Sequence, residues 1–238
     1  MDQLEQRHLP GGTGENYLIL FQGQPIGVYK PRKSFRTIRN EVTAWEASRI
    51  LGVGNVPHTR EWVGHKGSGT LQAFVPNKGP GLGFGTERGR ETAAFDYVMA
   101  DADAHAENAI RSGTGEIVRI DNAGIIPDRL SNQANLMRST YVTENLGVPL
   151  PAHVVDRIND VDPREFSDFL QSRGYSRSAS DWAADRLTEA QGGVINGDSW
   201  GCAILDDGMR VGYPSGYSNL GEYWKAHPPL PEEMREIG

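Results

Sequence analysis

Strand-forming segments come first in this 238-residue chain and helix-forming segments last, an order that predicts an α+β fold. Three observations carry the prediction. Two β-rich runs flank Gln22-Gly23-Gln24, so residues 16–30 read as a hairpin. A helical period follows over residues 37–51, and residues 151–193 are mostly helix-forming. Between them lies a Gly- and Pro-rich interval, residues 76–83, the best linker in the chain. It divides the sequence into an expected β-rich lobe over residues 1–78 and a mainly helical lobe over residues 79–238. A crevice between two such lobes is a common place for a ligand.

Each element has a local reason. Gly11-Gly12-Thr13-Gly14 is a turn cluster ahead of the apolar run 17–21. Pro31 closes the second strand, since it cannot donate to a ladder. Ile38, Val42 and Trp45 then fall at i, i+4 and i+7, and Gly52 stands where a helix takes its C-terminal glycine. Residues 59–63 and 69–75 form a second strand pair around a Gly-rich turn. Past the linker, residues 91–100 predict a short helix with Ala94, Phe95 and Val98 on its apolar side. Residues 116–121 alternate as a strand entered through the turn 112–115. Pro163 opens one late helix at its favoured first-turn position, and Ser180-Asp181-Trp182 is expected to open another.

The bulk properties exclude several classes. A net charge of −7 argues against a nucleic-acid-binding surface, which needs clustered Lys and Arg. The one basic cluster, Lys30-Pro31-Arg32-Lys33 with Arg36 and Arg39, reads as a solvated loop or as a local phosphate-facing patch. No apolar run approaches the roughly 18–20 residues of a membrane span. The polar, acidic start lacks a signal-peptide layout, and the single Cys202 excludes a disulfide framework. The expected location is the cytoplasm.

The chemistry concentrates in residues 101–108, Asp-Ala-Asp-Ala-His-Ala-Glu-Asn, and in Asp121 at the end of the strand beyond. Asp101, Asp103, Asn108 and Asp121 offer hard oxygen ligands. Such ligands suit Mg²⁺, which is shared between one or two carboxylates and substrate phosphates. In the first half, Gly11, Gly12 and Thr13 could lay backbone N–H groups over phosphates. Lys30 ends a strand, and Glu41 lies on the helix that could pair with it.

In this order, the set resembles the protein-kinase-like superfamily, in particular the atypical branch of phosphatidylinositol 3-/4-kinase-like and HipA-like kinases. Val28-Tyr29-Lys30-Pro31 is similar to its lysine strand, and Arg39-Asn40-Glu41 to its first helix. Leu71-Gln72-Ala73-Phe74-Val75 is similar to the strand entering its hinge. Asp103-x-His105-x-x-Asn108 looks like its catalytic loop, and Ile120-Asp121-Asn122 its metal-binding aspartate. The resemblance covers residues 9–128. It implies a two-lobed kinase-like fold and an ATP- and Mg²⁺-dependent phosphotransferase. Gly11, Gly12, Thr13, Lys30, Glu41, Gln72 and Phe74 would line the nucleotide. Asp103 would accept or align the acceptor hydroxyl proton, His105 would brace the loop, and Asn108 with Asp121 would hold the metal.

The pattern also departs from its relatives. Ala104 stands where lipid kinases of the branch carry arginine, and there is no Gly-x-Gly-x-x-Gly, Asp-Phe-Gly or Ala-Pro-Glu. With no amphipathic cationic helix, a protein Ser/Thr hydroxyl is a better expected acceptor than a lipid, and a small molecule remains open. Two other readings stand beside this one: a silent, pseudokinase-like nucleotide-binding module, and a metal-dependent hydrolase using Asp101, Asp103, His105 and Asp121. Nucleotide transfer from a flipped ATP is a variant on the same scaffold.

Overall fold

The computed structural model describes residues 4–10, 14–32, 34–104, 106–126, 136–197, 203–205 and 211–212. Its first half is a five-stranded antiparallel sheet in the order β1-β2-β3-β5-β4. The strands are β1 (Leu4–Leu9), β2 (Asn16–Phe21), β3 (Gln24–Pro31), β4 (Thr59–Gly64) and β5 (Gly67–Ala73), with α1 (Phe35–Leu51) between β3 and β4. Gln22 and Gly23 both take positive φ, 51° and 75°, as the tight turn of the β2–β3 hairpin requires. Gly52 ends α1 in the left-handed region at φ 67°. Both features follow the sequence expectation. β1 does not: its mostly exposed polar residues carry no burial pattern, and the sequence reading left them out.

Alternation gives the sheet two different faces. Tyr17, Ile19 and Tyr29 cluster on one, packed with Trp62 and Leu71. Lys30 projects from the other, opposite Thr70, with Gln72 opposite Val28 one pleat along. All three polar residues, Lys30, Thr70 and Gln72, are buried.

The second half is mainly helical. It comprises α2 (Glu87–Met99), the hairpin β6 (Ala109–Arg111) and β7 (Ile117–Arg119), and β8 (Leu136–Arg138). Helices α3 (Thr140–Asn145), α4 (Ala152–Asn159), α5 (Pro163–Ser172) and α6 (Arg177–Gln191) follow, with β9 (Ala203–Leu205) and β10 (Val211–Gly212) after them. Strand β9 pairs parallel to β8 and antiparallel to β10. The α+β prediction therefore holds. One core joins Phe95 and Met99 of α2, Tyr141 of α3, Ile158 of α4, Leu170 of α5 and Leu187 of α6. Ala44, Ala47 and Leu51 of α1 belong to it too, so this helix packs into the helical half as well as against the sheet.

Two helix starts differ from expectation. Helix α2 begins at Glu87 rather than at residue 91, because Thr86 caps it by accepting from Gly89 N at 3.1 Å. Residues 92–99 are all buried, so no amphipathic period marked its length. Helix α6 begins at Arg177 under a Ser176 cap, and Ser180 is interior, donating to Ser176 O at 2.9 Å. Pro163 does open α5 as predicted, behind Asp162, which accepts from Arg164 N and Glu165 N. Among the described residues, no helix is long and apolar enough to cross a membrane.

Candidate functional site

Lys30 and Glu41 meet as predicted. The Lys30 Nζ donates to both carboxylate oxygens of Glu41 at 3.1 Å, and both side chains are buried. Such a pair is held only where geometry compensates for the desolvation of both ions. Here the helix carrying Glu41 is fixed from the other side. Asn40 donates to Ala123 O at 2.7 Å and Ile125 O at 3.1 Å, and accepts from the Tyr175 hydroxyl at 2.8 Å. Arg39 donates to Gly174 O at 2.6 Å and stacks over the Tyr175 ring at 3.9 Å. Arg173 reaches Glu46 at 2.7 Å. Helix α1 is thereby tied to the segment just after Asp121.

Asp121 faces this pair from the second half of the chain. Its Oδ1 lies 3.8 Å from Lys30 Nζ and 3.4 Å from Arg32 Nη2, while Arg32 Nη2 is also 3.8 Å from Glu41 Oε1. Asp121 has φ 57°, a left-handed conformation uncommon outside glycine, asparagine and aspartate. Burial pushes the Glu41 carboxyl above its usual range, with Lys30 offsetting only part of the shift. At Asp121 burial acts in the same direction, but Lys30 and Arg32 outweigh it and hold that carboxyl below its usual range. Glu41 is thus a fully buried carboxyl, whereas Asp121 is half-exposed and the more readily ionised of the two.

The loop 101–108 is shaped from beneath by a second ion cluster. Arg119 on β7 is fully buried. Its Nε lies 2.9 Å from Asp96 Oδ1, its Nη2 donates to Asp101 Oδ2 at 3.2 Å, and its Nη1 donates to Asn108 O at 2.8 Å. Ser139 donates to the second Asp96 oxygen at 2.7 Å. Asp101 in turn accepts from Asp103 N at 3.0 Å, and Asn108 Nδ2 donates to Asp103 O at 2.6 Å. Ile120 N donates to Asn108 O at 2.9 Å, which joins the loop to the residue before Asp121. Two carboxylates around one guanidinium leave a surplus negative charge in a dry place. Burial accordingly raises both, Asp101 to about 7, with Arg119 offsetting part of the shift.

Gly124 closes the arrangement. Its O accepts from Ala102 N at 3.2 Å, and a Cβ at this position would lie 2.6 Å from Asp101 Oδ1. Only glycine lets the chain after Asp121 pass so close to the loop.

The structure thus brings Lys30, Glu41 and Asp121 together, and links Asp103 and Asn108 to one another and to the strand that ends before Asp121. Asp103 is exposed on the loop surface. Asp101, which the sequence leaves open as a loop cap, a metal contact through water or a solvated carboxylate, is buried and caps the loop by accepting from Asp103 N. Gln72 is buried with its amide donating to Thr59 Oγ1 at 3.1 Å, and Phe74 is partly buried beyond the end of β5. Gly11, Gly12, Thr13 and His105 lie outside the described residues. Sequence reasoning named Arg32 only within the basic cluster and Asn40 only within a motif, and it missed Asp96, Arg119 and Tyr175. For Asp96 a signal was present: a carboxylate flanked by Phe95, Tyr97 and Val98 in a core helix needs a buried partner.

No protein-family model matches the chain, and no curated protein matches its sequence. Among solved structures, it is similar to the crystal structure of the Helicobacter pylori proinflammatory kinase CtkA. The TM-score is 0.43 at 10% identity, over 82% of this chain and 93% of that one.

Proposed function

We propose that the cleft between the sheet and the 101–121 region is the nucleotide site of an ATP- and Mg²⁺-dependent phosphotransferase with a kinase-like, two-lobed fold dividing near residues 78 and 79. The observation that carries the reading is Lys30, seated between the two oxygens of Glu41 at 3.1 Å and the Asp121 carboxylate at 3.8 Å. A lysine already held by one buried carboxylate presents its remaining donor capacity to the cleft. The donor set also fits a hard cation. Asp121 offers a half-exposed carboxylate, and Asn108 has spent its Nδ2 on Asp103 O, leaving its amide oxygen to coordinate. Thr70, opposite Lys30, and Asn122, next to Asp121, are buried, and their side-chain polar atoms have no partner among the described residues. Buried polar atoms of this kind call for a ligand or water.

Each residue then has a task. Lys30 would hold the α- and β-phosphates, oriented by Glu41, while Asn108 and Asp121 would hold the metal. Mg²⁺, when bound, supplies neutralisation of charge on the phosphates during transfer. Asp103, exposed at the loop surface, would accept the proton of the incoming hydroxyl. Asp101, Arg119 and Gly124 hold the loop so that Asp103 and Asn108 keep their spacing. Gly11, Gly12 and Thr13 would cover the phosphates, Gln72 and Phe74 would border the nucleotide, and His105 would brace the loop. A protein Ser/Thr hydroxyl is the preferred acceptor. The hydrolase reading is weaker, because Asp101 is committed to Arg119. Among the described residues, no group of three or more His, Cys, Asp or Glu is placed to hold a metal.

The test is incubation with γ-labelled or α-labelled ATP and Mg²⁺, for the wild type, Asp103→Ala and Asp121→Asn. Transfer of γ-label to protein, lost in both variants, is the expected result. Transfer of α-label would instead identify nucleotide transfer. No transfer alongside unchanged ATP binding would leave the silent module as the better reading.

A further inference from the structure

Lys30 and Arg32 stand two residues apart on the same strand end, yet they are held differently. Lys30 makes two equal hydrogen bonds to a fully buried carboxylate. Arg32 makes one long hydrogen bond, 3.4 Å, to the half-exposed Asp121 Oδ1, and another of 3.4 Å to the neighbouring Pro31 O. Its main chain is pinned, donating to Ser68 O at 3.0 Å, so only the side chain is loosely tied. The Arg32 Nη1 also lies against Gly14, where a Cβ would come within 3.2 Å, at the end of the Gly-rich segment 11–14.

The charges of the site balance: Lys30 and Arg32 against Glu41 and Asp121. A neutral cluster offers little net attraction to a triphosphate. A divalent cation on Asp121 alters this, since Mg²⁺ sits roughly 2.1 Å from its oxygen ligands. A guanidinium cannot keep the same oxygen at 3.4 Å beside that ion without strong like-charge repulsion. Lys30 keeps Glu41 and stays. Arg32 loses the one carboxylate that lies at hydrogen-bonding distance among the described residues, and the anion that would lie beside Gly14 is the phosphate chain.

We propose that Arg32 is a phosphate-binding residue that Asp121 holds in the metal-free protein and releases when a divalent cation takes Asp121, so that metal and triphosphate binding are coupled. This rests on the nucleotide-site reading above. Arginine suits the task, because its planar fork matches phosphate oxygens and stays charged throughout. Without the metal, Arg32 also screens Asp121 from the burial of an unpaired charge.

The experiment compares wild type, Arg32→Gln and Arg32→Lys in two titrations. The first is Mn²⁺ binding to nucleotide-free protein, followed by electron paramagnetic resonance. The second is calorimetric binding of ATP with Mg²⁺, set against adenosine. Arg32→Gln should bind Mn²⁺ several-fold more tightly, since a cation competing for Asp121 has gone. It should bind Mg²⁺–ATP about tenfold more weakly, as expected for a lost charge-assisted hydrogen bond, with adenosine affinity unchanged. Arg32→Lys keeps the charge, so Mn²⁺ affinity should stay near wild type, while the lost planar fork should place its Mg²⁺–ATP affinity between those of the wild type and Arg32→Gln. A purely structural arginine would not tighten Mn²⁺ binding when removed. The proposal is overturned if Arg32→Gln leaves either Mn²⁺ affinity or the ATP-to-adenosine ratio at the wild-type value. If the wild type itself binds neither Mn²⁺ nor ATP, the nucleotide-site reading falls and this inference with it.

Discussion

Two ion clusters lie on either side of the same loop and solve opposite problems. Around Lys30, two cations meet two carboxylates, and one of those carboxylates, Asp121, is half-exposed to the cleft. Around Arg119, one cation meets two carboxylates with every member buried. The first cluster is balanced and open, so its partners can be exchanged for a ligand. The second is unbalanced and closed, and its surplus charge is relieved by raising Asp96 and Asp101 rather than by solvent. In the proposed reading the open cluster serves binding and the closed one holds the loop's shape. Neither role could be assigned from residue type alone, since both clusters consist of the same chemical groups.

The contrast can be broken most forcefully at Arg119. Arg119→Met leaves Asp96 and Asp101 without their cation and should cost roughly 3–5 kcal/mol in urea denaturation at pH 8. The loss should shrink as pH falls, since burial raises both carboxyls and eases their protonation. A pH-independent loss would mean that Arg119 acts by packing alone. Lys30→Met should cost less, about 2 kcal/mol, because Arg32 remains 3.8 Å from Glu41. The double variant Lys30→Met/Glu41→Leu should recover most of that stability while phosphotransfer stays lost. Recovery of transfer would end the catalytic role of the pair.

Asp101 sharpens the comparison through pH. Its folded-state carboxyl is raised to about 7, above its ordinary range. The stability it contributes is therefore fully present below that ordinary range and lost as pH rises through 7. Relative to Asp101→Asn, which does not titrate, the wild type should lose roughly 2 kcal/mol between pH 5 and 8, read by thermal unfolding. The opposite slope would place a charged Asp101 in the resting protein. Asp103→Ala is the smallest perturbation: the residue is exposed, and stability should stay within about 0.5 kcal/mol of wild type while label transfer disappears.

Much of the open cluster was legible in the sequence, and almost none of the closed one. Lys30 stands near the end of a strand that Pro31 closes, and Glu41 follows in a helix closed by Gly52, so local signals placed both. Asp121 was visible because it follows a short apolar strand. Arg119, two residues earlier, carried no signal of its own in that strand, and β6, which pairs with it, was missed. Its partners lie in a helix and a loop 23 and 18 residues away, and no periodicity reports such a meeting. Helix α2 hid its length for a related reason, since residues 92–99 are all buried. Asn40 was quoted only as part of a motif, although its side chain bridges α1 to residues 123 and 125. Long-range hydrogen bonds of this kind depend on the packed fold, which local pattern does not encode.

The central claim is that Lys30 and Asp121, from opposite sides of the cleft, form one nucleotide–metal site. The most direct measurement is the thermal stabilisation of the protein by ATP, with and without Mg²⁺, in wild type, Lys30→Met and Asp121→Asn. A ligand bound only by the native state must raise the midpoint. ATP should raise the wild-type midpoint and Mg²⁺ should enlarge the rise; Lys30→Met should remove the rise, and Asp121→Asn should remove the Mg²⁺ enlargement. A full ATP shift in Lys30→Met, or an undiminished Mg²⁺ enlargement in Asp121→Asn, would contradict the shared site.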